Sequence, residues 1–149
     1  PHLFDGRVDG RHARGFPFEI TPAILQRGRE RYQIFCMPCH DSRGSGNGII
    51  VQLGFKQPTS FHDRFLIRAP EGRIYLAIKN GVGMMDGFAA RIPVEDRWAI
   101  VAYVRALQGD PSPSVLIPAP PSLAGGGVER LPPAALDPPR VSRVDANPR

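Results

Sequence analysis

The chain has 149 residues, a net charge of +5 and only two cysteines, which is enough length for one domain and excludes a zinc site with three or four thiolate ligands. No run of about 18 apolar residues occurs, so we expect no transmembrane segment of its own. The basic residues form no run and the aromatic residues follow helical core spacing, which argues against nucleic acid as a partner.

Composition divides the chain into three segments. Residues 1–20 are interrupted by glycines, which predicts an irregular N-terminal arm with Phe4, Phe16 and Phe18 as its large anchors. Residues 21–109 carry the whole net charge of +5 and should form the packed domain, with a preference for an acidic partner surface. Residues 110–149 hold ten of the 17 prolines and no aromatic residue, which predicts an extended tail that docks on neighbouring subunits. Because the sequence begins with Pro1 and has no leader peptide, we expect a mature or trimmed product.

The first predicted helix begins at Thr21 and Pro22, an N-cap followed by a proline at the first helical position. It runs directly into Cys36. After His40 the segment 41–48 contains three glycines, so we predict a loop there.

Cys36, Cys39 and His40 form a Cys-x-x-Cys-His motif, the spacing by which a protein attaches a haem covalently. On a helical turn these positions share one side, so two thiols can react with the haem vinyl groups while the imidazole of His40 binds the iron. Three other interpretations stay open at this point: a thioredoxin-like redox pair, a zinc site completed by imidazoles, and coincidence.

Two further helices follow. One is predicted from about Pro70 to Lys79, with Asn80 and Gly81 as its C-terminal stop. The other begins near Pro93 or Val94 and carries apolar residues over a wide arc, which predicts a largely enclosed helix.

This order of elements resembles class I cytochrome c. The resemblance implies an all-α fold with three main helices around one covalently bound haem c, and long irregular N- and C-terminal arms. It also implies that the first and last helices cross closely at Gly28, with Tyr32, Ile100 and Tyr103 at the crossing.

Four segments, residues 32–36, 44–48, 57–62 and 96–108, carry a narrower resemblance. Together they resemble the mono-haem cytochrome c subunit of bacterial alternative complex III, a quinol-oxidising assembly. That family usually has Gly directly after the haem histidine and Pro after the ligand methionine, where this chain has Asp41 and Asp86.

In class I cytochromes the axial methionine lies in the loop that corresponds here to residues 81–87. The pattern Gly-x-Gly-x-Met favours Met85, with Met84 as its rival and His62 as a rival imidazole. His2 and His12 lie in the arm and are poor candidates. The resemblance further implies that the carbonyl of Pro58 or a neighbour accepts the Nδ1–H of His40.

With both axial positions filled, electron transfer is the remaining chemistry. We therefore expect an electron-transfer subunit, not itself an enzyme, that contacts other subunits of a membrane complex on the periplasmic side and passes electrons to a downstream acceptor. The alternatives are a soluble periplasmic cytochrome, a dehydrogenase subunit, and a haem peroxidase or gas sensor with an open distal site.

Overall fold

The computed structural model describes residues 3–109, and the predicted all-α fold is confirmed in that part of the chain. The expected tail over residues 110–149 lies outside the described residues. The helices are α1 Pro22–Phe35, α2 Met37–His40, α3 Ile49–Gln52, α4 Arg64–Arg68, α5 Glu71–Asn80 and α6 Val94–Gly109, and two antiparallel hairpins pair β1 Arg7–Val8 with β2 Arg11–His12 and β3 Gly81–Val82 with β4 Met85–Asp86.

The three main helices begin and end close to the predicted residues. The Thr21 side chain accepts a hydrogen bond from the Ile24 amide at 3.3 Å, as an N-cap should. α5 begins one residue later than predicted because Pro70 is its N-cap. The short helices α3 and α4 were not predicted, since four or five residues are too few to establish a helical period.

The core forms where α1 crosses α6. The two backbones are so close at Gly28 that a Cβ there would lie 2.0 Å from the carbonyl oxygen of Ala99. One turn further, the rings of Tyr32 and Tyr103 meet edge to face with centroids 5.2 Å apart. The crossing implied by the cytochrome resemblance is therefore present.

The last helix is enclosed on nearly all sides, as its wide apolar arc predicted. Two of its charged residues, Asp96 and Arg97, are buried and paired. Asp96 receives two hydrogen bonds from Arg27, at 2.8 and 2.9 Å, and Arg97 donates to Ile92 O and Tyr75 Oη at 2.9 and 3.0 Å. These contacts fix α6 against both α1 and α5.

The N-terminal arm is more ordered than its composition indicated. It contains the β1–β2 hairpin, and the Gly72 amide at the start of α5 donates to Ala13 O at 2.9 Å. The Phe4 ring is exposed, contrary to its predicted anchoring role. Its carbonyl oxygen forms the anchor instead, because it accepts from Tyr75 Oη at 3.1 Å and Lys79 Nζ at 2.9 Å. Phe16 and Phe18 pack against the core as predicted, and the arm is also attached through backbone groups, whose positions composition does not reveal.

Over residues 3–109, no helix combines the length and the apolar character needed to cross a membrane.

Candidate functional site

Cys36, Cys39 and His40 lie on one turn of helical backbone between α1 and α2. The amides of Cys39 and His40 both donate to Cys36 O, at 3.1 and 2.9 Å. Cys36 is buried, Cys39 is exposed, and neither forms a disulfide. The turn therefore has the geometry that the motif predicted.

The surroundings of the two thiols argue against the redox and zinc interpretations. Burial, with a smaller effect from Cys39, raises the pKa of Cys36 to about 12, whereas a reactive redox thiol has a lowered pKa. No cluster of three or more histidine, cysteine or carboxylate side chains suited to a metal ion exists within residues 3–109. Cys36 therefore does not fit the role of a thiolate nucleophile, and the described residues offer no zinc ligand set around it.

The imidazole of His40 lies against the ring of Phe61. The two rings are stacked with centroids 4.5 Å apart and planes 15° from parallel. Burial lowers the pKa of His40 to about 4, opposed weakly by Asp41, so the ring is neutral at pH 7, the state in which imidazole binds a metal. Sequence reasoning assigned no role to Phe61, and no spacing rule would have found this stacking.

The predicted hydrogen bond from His40 Nδ1 to Pro58 is not present. Nδ1 is buried and has no hydrogen-bond partner among residues 3–109. Phe61 stacks on the ring, and the Pro58 carbonyl oxygen lies against Gly46, where a Cβ would be 2.5 Å away. The plane of the His40 ring is therefore set by Phe61 and not by a hydrogen bond to Pro58.

Asp41 organises the loop that follows His40. Its carboxylate accepts hydrogen bonds from the amides of Arg43 and Asn47, at 2.7 and 2.9 Å, and from both the amide and the hydroxyl of Ser45. Its carbonyl accepts from Tyr32 Oη at 2.7 Å. Partial burial would raise the pKa of Asp41, but the hydrogen bonds from Ser45, Asn47 and Arg43 lower it overall. The carboxylate is thus the centre of the 41–48 loop.

The backbone of Asp41 is strained, with φ +59° and ψ 179°, a combination that glycine alone adopts easily. We expect Asp41→Ala to lower the free energy of unfolding by about 2 kcal/mol, because it loses the hydrogen bonds and keeps the strain. Asp41→Gly loses the same bonds but relieves the strain, so it should be more stable than Asp41→Ala in urea unfolding. Equal stability of the two variants would show that the backbone conformation at residue 41 is not strained.

The 41–48 loop also approaches the turn of residues 36–40 very closely. The Gly48 amide donates to Cys39 O at 3.1 Å, and a Cβ at Gly48 would lie 2.2 Å from Pro38 O. α3 begins directly afterwards. It and the next residues expose Ile49, Leu53 and Phe55, so an apolar surface lies beside the turn.

The β3–β4 hairpin separates the two candidate methionines. Met84 is at its tip and is 75% exposed, whereas Met85 is partly buried and contacts the hydrophobic core. The Phe88 amide donates to Ile78 O at 2.8 Å, which fixes the end of the hairpin to α5. The hairpin was predicted only as a loop.

His62, the rival imidazole, is engaged elsewhere. Its Nε2 lies 2.8 Å from the carbonyl oxygen of Arg43, and its amide donates to Ser60 Oγ at 3.2 Å. His62 joins the 41–48 loop to the segment before α4.

These features fit a haem. Two free thiols and a neutral imidazole share one turn, and exposed apolar side chains flank the turn. Such a donor set and apolar surround suit a flat apolar cofactor with an imidazole-bound iron.

The fold and this cluster define a cytochrome c domain. The sequence profile described as cytochrome c oxidase, cbb3-type, subunit III matches residues 23–104, and the chain belongs to this family. Haem-mediated electron transfer is the activity of such a domain.

Two known proteins are similar to this chain, one in sequence and one in structure. The chain is 29% identical over 111 residues to the cytochrome bc1 complex cytochrome c subunit of Corynebacterium diphtheriae, covering 72% of this chain and 37% of that protein. In structure it is similar to a chain of the Kuenenia stuttgartiensis reducing HAO-like protein complex Kustc0457/Kustc0458, with a TM-score of 0.52, 23% identity, and coverage of 71% of this chain and 54% of that one. This structural similarity supports the fold. The chain thus spans only part of both proteins.

Proposed function

We propose that this chain is an electron-transfer subunit of a quinol-oxidising membrane complex, with one covalently bound haem c. The observation that carries the proposal is the Cys36–His40 turn, with two free thiols beside a neutral, Phe61-stacked imidazole. The name of the Corynebacterium diphtheriae relative, a subunit of a cytochrome bc1 complex, supports membership of a larger assembly. The four sequence strings described above favour alternative complex III as the particular type.

In this proposal Cys36 and Cys39 would form the two thioether bonds and His40 would bind the iron. Haem c bound there would supply a one-electron ferrous–ferric couple. The stacked Phe61 ring keeps the plane of the imidazole fixed, and the 41–48 loop is attached to the turn by the Gly48 amide.

Met85 is the proposed second axial ligand. Its partial burial against the core favours it over Met84, which extends from the hairpin tip into solvent. The contact between His62 Nε2 and Arg43 O favours Met85 over a second imidazole. A neutral thioether stabilises ferrous iron and so raises the reduction potential, which suits a carrier downstream of a quinol.

Covalent attachment is tested by extraction in acid acetone. We expect the haem to stay on the polypeptide, and the Cys36→Ala/Cys39→Ala double variant to release it, because the thioether bonds are then missing. The single variants should retain one thioether and show a shifted haemochrome spectrum. Extraction of haem from the unaltered protein would contradict the proposal.

Carbon monoxide separates the proposal from a peroxidase or gas sensor. With both axial positions filled, the reduced protein should bind carbon monoxide weakly and without a prompt change in its visible spectrum. Rapid, stoichiometric binding would indicate an open distal site.

Purification from the native membrane then separates a complex subunit from a soluble periplasmic carrier or a dehydrogenase subunit, through the proteins that accompany it. We place the domain on the periplasmic side of the membrane, where its partners would hold it.

A further inference from the structure

An open cavity of about 340 Å³ lies at the corner between α4 and the start of α5. None of the residues 36–40 lines it, so it is separate from the proposed haem-attachment turn. Three of its six lining residues are arginines and none is acidic. The lining residues are Arg64, Phe65, Arg68, Ala69, Pro70 and Arg73.

Within residues 3–109, the three guanidinium groups of the cavity have no anionic partner. The ion pairs in this part of the chain are made by other arginines, and the side chains of Arg64, Arg68 and Arg73 donate no hydrogen bond there. The two nearby carboxylates are already engaged. Asp63 accepts from the Phe65 amide at 2.8 Å, and Glu71 pairs with Arg105 at 2.8 Å. All three arginine side chains are exposed.

One of these guanidinium groups is held in a defined orientation. The Arg73 guanidinium carbon lies 4.4 Å from the centre of the Phe65 ring, which is a cation–π contact. Stacking fixes the side chain and leaves its in-plane N–H groups free. A fixed, planar pair of donors matches the two oxygens of a carboxylate.

We propose that this arginine cavity binds the carboxylates of an acidic segment of another protein subunit. The proposal rests on the proposed function only in taking that segment to belong to the same complex. Arginine together with aromatic side chains is typical of protein interfaces. A lipid surface is less well matched, because α4 has only five residues and exposes just two large apolar side chains, Phe65 and Ile67, whereas interfacial helices present a longer apolar face.

The test uses the full-length haem-loaded protein and a fluorescein-labelled hexaglutamate peptide as the probe. Fluorescence anisotropy at low salt should report binding that weakens as salt rises. The variant Arg64→Gln/Arg68→Gln/Arg73→Gln should bind at least about tenfold more weakly, because it loses three charge-assisted contacts. Arg73→Lys keeps the positive charge but loses the planar guanidinium that stacks on Phe65, so this variant should also bind the peptide more weakly than the unaltered protein.

The matched control removes the same charge elsewhere. Arg7, Arg11 and Lys56 are exposed and form no ion pair with the described residues. The Arg7→Gln/Arg11→Gln/Lys56→Gln variant should change the affinity for the peptide by less than about threefold, because exposed charges far from the cavity are screened by salt. Equal weakening by both triple variants would overturn the proposal, since net charge alone would then explain the binding.

Two further measurements identify the other possible occupants. Arginine-dependent binding to phosphatidylglycerol vesicles, without binding of hexaglutamate, would overturn the proposal in favour of a membrane contact. Loss of bound haem or a shifted reduction potential in the cavity variant would assign the arginines to the haem instead. Failure of electron transfer with hexaglutamate binding intact would count against the proposed function alone.

Discussion

Replacing Met85 with alanine is expected to lower the reduction potential by more than about 100 mV, a modest share of the roughly 0.8 V that axial ligands control. The variant removes the proposed thioether ligand, and with it the preference for ferrous iron. The sulfur-to-iron charge-transfer band of the ferric protein should disappear as well. Potentiometric titration and absorption spectroscopy measure the two effects in one sample.

Met84→Ala is the matched control, because it removes the same side chain from the exposed tip of the same hairpin. It should leave the band in place and the potential nearly unchanged. Loss of the band in Met84→Ala would show that the proposed ligand is wrong by one residue. Its loss in His62→Ala would instead identify a second imidazole on the iron.

Replacing Gly28 with alanine is expected to lower the free energy of unfolding by about 3 kcal/mol or more, which is the upper range for overpacking a core. For a domain of this size the melting temperature should fall by roughly 12 to 24 °C. The new Cβ would lie 2.0 Å from Ala99 O and 3.1 Å from the Cβ of Tyr103. Because Ala99 O belongs to the backbone of α6, the clash can be relieved only if α1 and α6 move apart. Thermal unfolding followed by circular dichroism measures the loss.

Gly109 provides the control for helix propensity. It is the last residue of α6, and a Cβ there would meet no atom of residues 3–109 within 4 Å. Gly109→Ala should be neutral or slightly stabilising, since alanine favours helix over glycine by up to about 1 kcal/mol. A Gly28→Ala variant as stable as Gly109→Ala would show that the helix crossing has room for a methyl group.

Local signals in the sequence were enough for the main helices. Thr21 and Pro22 define the start of α1, and Asn80 and Gly81 define the end of α5, because caps depend on residues adjacent in the chain. The relative positions of Cys36, Cys39 and His40 follow equally directly, since i, i+3 and i+4 share one side of a helical turn.

Asp41 illustrates how a departure from a family pattern can be noticed without being understood. The sequence shows an aspartate where glycine is usual, which points to an unusual backbone conformation. The four hydrogen bonds that its carboxylate accepts from residues 43–47 depend on the path of the loop. That path became visible only in three dimensions.

The sequence by itself determined the three main helices and the turn that carries the two thiols and the imidazole, whereas the helix crossing at Gly28 was implied by the resemblance to class I cytochrome c. The tertiary structure alone decided that Phe61 stacks on His40, that the arm is attached through the Phe4 carbonyl, and that Arg73 lies over Phe65. The physical reason is the same in each case. Helices and caps are set by neighbours along the chain, whereas ring stacking and backbone hydrogen bonds to distant residues depend on how separate segments pack, for which no local spacing provides a signal.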